Sequence, residues 1–385
     1  MNAKDAARAR VDKATEALVD LSHRLHAHPE LGFEEERACG WVADLLADNG
    51  FTVETGVADL PTAFTASYGS GDLVIGICAE YDALPEVGHA CGHNVIAAAV
   101  VAAGLGLAEV ADEVGVTVKV FGTPAEEGGG GKILMLERGA FAGVNAAMMV
   151  HPAPLEQVDP PTLAVSHVDV EFRGRDAHAS AYPERGINAA DALTVAQVAV
   201  GLLRQHIRGT DRIHGIVRHG GDAPNIVPSR TTGSWYVRAR TLAELAELEP
   251  RVRACMEAGA LATGCTYEVT RSSPPYSEFD HDAAMCAAYR RNAEALGRTF
   301  ATDVDERVAG STDMANVSLA MPTIQPMIAI ESEGSSNHQP EFMQHCARPS
   351  ADKAIVDGGV AMAWTAIDLA LDAEQRRRLL AQAAR

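Results

Sequence analysis

Imidazole and thiolate are the side chains that hold borderline-soft divalent ions best. They stand two residues apart in Gly88-His89-Ala90-Cys91-Gly92-His93-Asn94. Cys91 and His93 could share one ion, although the spacing alone is equally that of a loop near a helix start. Glu126-Glu127 follows an apolar strand and precedes a glycine run. Adjacent carboxylates after a buried strand need something positive beside them. A metal would do this, using one carboxylate as ligand and leaving the other to take a proton from water. Isolated acidic pairs are more commonly solvated turns, so the weight rests on placement. His151 ends the apolar run Ala146–Val150, where a lone histidine is more often a satisfied core residue. His338 lies in the polar loop Ser335–Pro340 and carries little weight alone. Together these positions offer donors for two ions, and paired ions clamp the attacking and leaving atoms of a hydrolysis.

Three further positions have weaker claims. His178, in Gly174-Arg175-Asp176-Ala177-His178, reads equally as a surface-turn histidine. Asn225, between Pro224 and Ile226, is as well suited to a turn as to a ligand contact. Arg238 and Arg240 alternate on one strand face and could pair with a substrate carboxylate; arginines on an edge strand are equally ordinary.

These residues must be positioned by something, and the surrounding pattern says what. Helical spacing covers residues 4–28, stopped by Pro29, and 34–49, stopped by Gly50. Apolar strands at 73–79, 116–121 and 146–150 alternate with helices at 94–110 and 134–138. That alternation is the mark of an α/β layer structure with a mostly parallel sheet. In such sheets function gathers past the carboxyl ends of strands. Glu80-Tyr81-Asp82, Thr123–Glu127 and His151-Pro152 all stand there, with Gly128–Gly131 read as a flexible turn. After Pro160-Pro161 the pattern becomes β-α-β-β-α-β, closed by Pro274-Pro275. The expected organisation is an inserted α+β, ferredoxin-like domain at 164–274 within a discontinuous α/β domain of 1–163 and 275–385. A single strand at 323–330 and a long helix running through residue 385 complete the second part.

Composition narrows the partners. Among 385 residues, 32 lysines and arginines against 52 acids give a net charge of −20. Such a surface repels phosphate backbones and anionic lipid, so neither nucleic acid nor membrane is an expected partner. No uninterrupted apolar run approaches the roughly 18 residues of a spanning helix. Residues 1–19 lack the apolar core of a signal peptide. Seven scattered cysteines form no framework and fit a reducing cytoplasm.

Gly-His-Ala-Cys-Gly-His at 88–93, Pro-Ala-Glu-Glu at 124–127, His151, Gly-Arg-x-x-His at 174–178 and Asn-His-Gln-Pro at 337–340 stand in one order along nearly the whole chain. Together with Leu25–Gly32 they resemble the co-catalytic metallopeptidases that include glutamate carboxypeptidase, aminoacylases and indole-acetyl-amino-acid hydrolases. The resemblance implies a zinc-peptidase-like catalytic domain, a lid domain that dimerises, and two divalent ions, Zn2+ or Mn2+. It further implies Cys91, His93, Glu127, His151 and His338 as ligands, Glu126 as general base and Asp82 as the residue that orients a ligand. His178 would stabilise the oxyanion in the site of a partner subunit, and Asn225 would contact substrate. The chain departs from the broad pattern at Glu80, where His-x-Asp is usual, and at Asn94, where auxin-conjugate hydrolases carry aspartate. Both departures are similar to aminobenzoyl-glutamate hydrolases and β-alanyl dipeptidases.

The expected activity is metal-dependent cleavage of the amide bond in small N-acyl amino acids or dipeptides. Two alternatives are an aminoacylase acting on N-acetyl or longer N-acyl amino acids, and a catalytically silent, metal-stabilised binding subunit.

Overall fold

The computed structural model describes residues 2–301 and 310–382. They form two compact units. One is Thr162–Glu278 joined by Gly310 and Ser311; the other holds the remaining described chain.

In the larger unit, six strands make one sheet: β1 (Thr52–Thr55), β2 (Phe64–Tyr68), β3 (Leu73–Ala79), β4 (Val116–Gly122), β5 (Ala146–Met148) and, much later, Thr323–Ile324. Their spatial order is β1-β2-β4-β3-β5 and then Thr323–Ile324. The first two pairings are antiparallel and the other three parallel. This is the expected α/β class. Parallel strands buried on both faces account for the unbroken apolar run of β3, in which every residue but Val74 is buried. The helix His93–Ala108 is buried along almost its whole length. It packs against the helices Ala3–Ala27 and Pro349–Leu371. Pro349–Leu371 has the length and composition of a membrane span, but 78% of its most apolar window is buried in this core.

Two expectations are revised here. The strand expected at 323–330 is divided at Gln325-Pro326. Thr323–Ile324 pairs with β5, whereas Met327–Ala329 pairs in parallel with β6 (His151–Ala153) in a separate two-stranded ribbon. Proline has no N–H for a ladder, and Pro326 instead offers its carbonyl to the His151 N–H at 2.9 Å. The expected last helix is two helices, Pro349–Leu371 and Ala373–Leu380. Asp372 separates them and caps the second by accepting from the N–H groups of Glu374 and Gln375. Residues 383–385 lie outside the described residues.

The smaller unit runs β7 (Ala164–Arg173), helix Ala189–Leu203, β8 (Arg212–His219), β9 (Arg230–Ala239), helix Leu242–Thr263 and β10 (Thr266–Arg271). Its sheet order is β10-β7-β9-β8, antiparallel throughout. Val168, Val170, Trp235 and Val237 pack with Leu193, Val200, Leu248 and Val252 of the two helices. Asn188 and Thr241 cap those helices with their side-chain oxygens.

Candidate metal centre

Three strand ends and one distant loop of the larger unit bring the chemistry together. Gly92 opens the helix His93–Ala108 at φ 81°, and a Cβ there would lie 2.4 Å from Pro152 Cγ. Only glycine allows that approach, which sets Cys91 and His93 against the ribbon bearing His151. The turn after β4 is held by a residue that the sequence pattern does not single out. Glu35, fully buried, accepts the Ala125 N–H at 2.8 Å on Oε1 and the Thr62 hydroxyl at 2.9 Å on Oε2. Gly128–Gly131 is more than a flexible turn: a Cβ on Gly131 would lie 1.9 Å from the Pro124 carbonyl oxygen. His338 arrives on a loop whose N–H donates to the Ala90 carbonyl at 2.8 Å. Asn337 secures that loop by donating to the carbonyls of Pro152 (3.0 Å) and Cys91 (3.4 Å).

The five expected ligands converge. Donor atoms of Cys91, His93 and His151 lie within 4.8 Å of one another, as do those of Cys91, Glu127 and His338, and those of His93, Glu126 and Glu127. Cys91 Sγ is 3.4 Å from His151 Nε2, and His338 Nε2 is 3.3 Å from Glu127 Oε1. His93 donates from Nδ1 to Asp82 Oδ1 at 3.0 Å, and His151 from Nδ1 to the Pro152 carbonyl at 2.9 Å. Each imidazole thus turns Nε2 inward, the orientation a metal-binding histidine needs. His93 Nε2 is buried and makes no hydrogen bond among the described residues. It faces Glu80 Oε2 at 3.5 Å and an oxygen of each of Glu126 and Glu127 at 3.9 Å. Burial alone would lower the His93 imidazole, but the Asp82 carboxylate beside it raises it well above its ordinary range, so this pocket favours positive charge at the ring. A divalent ion held by the same carboxylates, imidazoles and thiol would supply that charge instead of a proton.

The electrostatics describe the same need. Burial and then the Glu127 charge push the Cys91 thiol well above its usual range. A thiolate there requires a cation. Burial, then the charges of Glu80, Glu127 and Asp313, hold the Glu126 carboxyl well up. Burial acts the same way on Asp82 and Glu127 but is outweighed. His93 brings Asp82 below the ordinary range, and the hydrogen bond from His338 with the charge of His93 does so for Glu127. Asp82 also accepts the Glu127 N–H at 2.9 Å on Oδ2, so one carboxylate orients both His93 and the acidic turn.

Besides Glu35 and Asn337, sequence reasoning missed Lys132 and Asp313 and gave Glu80 no task. All three are fully buried. Lys132 Nζ stands 2.6 Å from Glu80 Oε1 and 2.7 Å from Asp313 Oδ1. The one available signal was a lysine set among Gly131, Ile133, Leu134 and Met135, a poor place for a solvated charge. Asn94 now has a reason: its amide donates to Ser22 Oγ and to the Cys346 carbonyl, both at 2.8 Å. Aspartate could not donate to that carbonyl.

His178, Asn225 and Arg238 belong to the smaller unit. The first two are neighbours there: the Ala179 N–H donates to the Asn225 carbonyl at 3.0 Å, and the Val227 N–H to the Ala177 carbonyl at 3.0 Å. His178 Nδ1 accepts the Ala181 N–H at 3.2 Å, so Nε2 of this exposed ring is the donor. Arg238, half-buried on β9, donates to Ser311 Oγ at 2.6 Å and His214 Nε2 at 3.3 Å. No carboxylate pairs with it among the described residues. Arg240 lies beyond the end of β9 and is exposed.

Fold and site together define a metal-dependent hydrolase of amide bonds. Residues 76–352 match peptidase family M20/M25/M40, and the chain belongs to that family. It is 37% identical to the Xaa-Arg dipeptidase of Mus musculus over 382 residues, 95% of this chain and 88% of that one. It is 28% identical to a p-aminobenzoyl-glutamate hydrolase chain of Escherichia coli, covering 94% and 92%. A dinuclear metal-binding peptidase of Bacillus subtilis superposes with a TM-score of 0.67 over 93% of this chain and 99% of that one, at 21% identity.

Proposed function

We propose that this chain is a dinuclear amidohydrolase of dipeptides or N-acyl amino acids that bear a free carboxylate. The substrates would be of the β-alanyl-dipeptide or aminobenzoyl-glutamate type. The carrying observation is the convergence of Cys91, His93, Glu127, His151 and His338 around the buried Nε2 of His93, which makes no hydrogen bond among the described residues. These five would hold two ions; the thiolate favours Zn2+, and the carboxylate and imidazoles also suit Mn2+. Bound there, such ions polarise a carbonyl and acidify water. Glu126 takes the proton of the attacking water and passes it to the leaving amine, a task suited to a carboxyl held above its usual range. Asp82 keeps His93 in the ligating tautomer.

His178 would present its Nε2–H to the oxyanion in the site of a partner subunit, and Asn225, its neighbour, would touch the substrate. Arg238, lacking a carboxylate partner among the described residues, is suited to the substrate's own carboxylate. The smaller unit supports a homodimer. Its edge strand β8 is unpaired on one side among the described residues, and Val198, Leu202, Ile216 and Val217 are exposed on that unit. Seven free thiols fit the cytoplasm.

The test is elemental analysis of protein purified without chelator, with a panel of β-alanyl and Xaa-Arg dipeptides, aminobenzoyl-glutamate and N-acetyl amino acids. About two ions per chain, loss of metal in Cys91→Ser, and turnover of the first three classes are expected. Turnover confined to acetyl amino acids would favour an aminoacylase, and bound metal without turnover a catalytically silent chain.

A further inference from the structure

The catalytic unit contains a buried cation that this mechanism does not use. Lys132 is fully buried, with its Nζ between Glu80 Oε1 and Asp313 Oδ1 and its backbone N–H donating to Asp313 Oδ2 at 2.9 Å. Glu80 and Asp313 are also fully buried, and one oxygen from each lies within 4.8 Å of an oxygen of Glu126. That is the spacing of a cation site. Glu80 Oε2 makes no hydrogen bond among the described residues and lies 3.5 Å from His93 Nε2. The acidic cluster is therefore contiguous with the proposed ligands.

Three buried carboxylates so close together demand positive charge. If a divalent ion supplied it, Glu126 would become a ligand and its lone pair would no longer be available to a water. We propose that Lys132 is a positioning residue, a tethered cation occupying the place that Glu80, Glu126 and Asp313 would otherwise offer to a further metal ion. This keeps Glu126 out of the coordination sphere, and the proposal rests on the reading of Glu126 as base. The glycine run explains how the lysine gets there. Gly130, at φ 71°, starts the helix Gly131–Glu137, and the close packing of Gly131 on Pro124 carries Lys132 beneath the turn of Glu126. An ammonium suits the task because it carries one charge, is present at any metal concentration and pairs with both flanking acids, donating a hydrogen bond to Asp313.

The test uses the full chain as Lys132→Ala, dialysed to equilibrium against Mn2+ and compared with the unaltered protein. One additional ion per chain is expected. The kcat should fall about 100-fold or more, the scale of a lost general base, with KM within about twofold. Adding Asp313→Asn to the same chain should return the ion count to that of the unaltered protein. An ion count for Lys132→Ala equal to that of the unaltered protein overturns the proposal. If Lys132→Ala does not fold in metal-free buffer, Mn2+ should restore folding by replacing the ammonium; failure to fold at any Mn2+ concentration also overturns it. The base reading fails separately, if Glu126→Gln alone keeps its turnover, and that outcome leaves the ion count of Lys132→Ala as the judge of Lys132.

Discussion

Glu126 and Glu127 are adjacent in the chain, yet the fold drives their carboxyls in opposite directions. Glu127 receives the His338 hydrogen bond, whereas Glu126 faces the charges of Glu80 and Asp313. Glu126→Gln should lower kcat by about 10²–10⁴-fold while metal content, read by elemental analysis, stays unchanged. A second residue-scale consequence lies in the smaller unit. Burial, and then the Arg238 charge, lower His167 to about 4, and its Nδ1 is 2.6 Å from Ser273 Oγ. The folded state therefore disfavours the proton that the unfolded chain takes up below 6.5. Stability is full above that value and falls as the pH drops toward 4, by up to about 3 kcal/mol. Thermal melts at pH 7 and pH 4.5 should show this loss, and His167→Gln should shrink it.

At the scale of elements, the site depends on strand ends and on turns that admit only particular residues. Gly92 combines positive φ with the Pro152 contact, so Gly92→Ala strains the backbone and displaces the ribbon carrying His151. The expected cost is about 1–3 kcal/mol, with metal affinity at least about tenfold weaker. Melting curves and a metal titration on the same preparation check both. A variant with native stability and native affinity would show that the helix start does not set the ligand geometry.

At the scale of the whole molecule, the proposed homodimer makes His178 and Glu126 of different chains serve one site. Neither His178→Ala nor Glu126→Gln should turn over substrate appreciably alone. Randomly exchanged at equal amounts they form half heterodimers, each with one complete site, so about a quarter of native activity should return. Native mass spectrometry establishes that heterodimers form. Their presence without recovered activity would assign His178 to its own chain's chemistry, or to none.

The kinds of donor, their order, and the alternation of apolar strands with helices are local properties, and the sequence alone determined them. Cys91, His93, Glu126, Glu127 and His151 were legible because each stands just past a strand or at a helix start, where a period of two or of 3.6 residues changes. The smaller unit was legible for the same reason: six elements in one order leave few ways to cover one sheet face. What no local pattern shows is long-range, and His338 was reached only through the family resemblance. His338 comes within 3.3 Å of Glu127 across 211 positions because the Asn337 amide and the His338 N–H tie one loop to another. Glu35 supports a turn 90 residues away, and Lys132 meets Asp313 across 181. Those pairings follow from which buried charges must neutralise one another once the core has closed. Only the tertiary structure decides that, because desolvation makes a charge choose its partner and no local period records the choice.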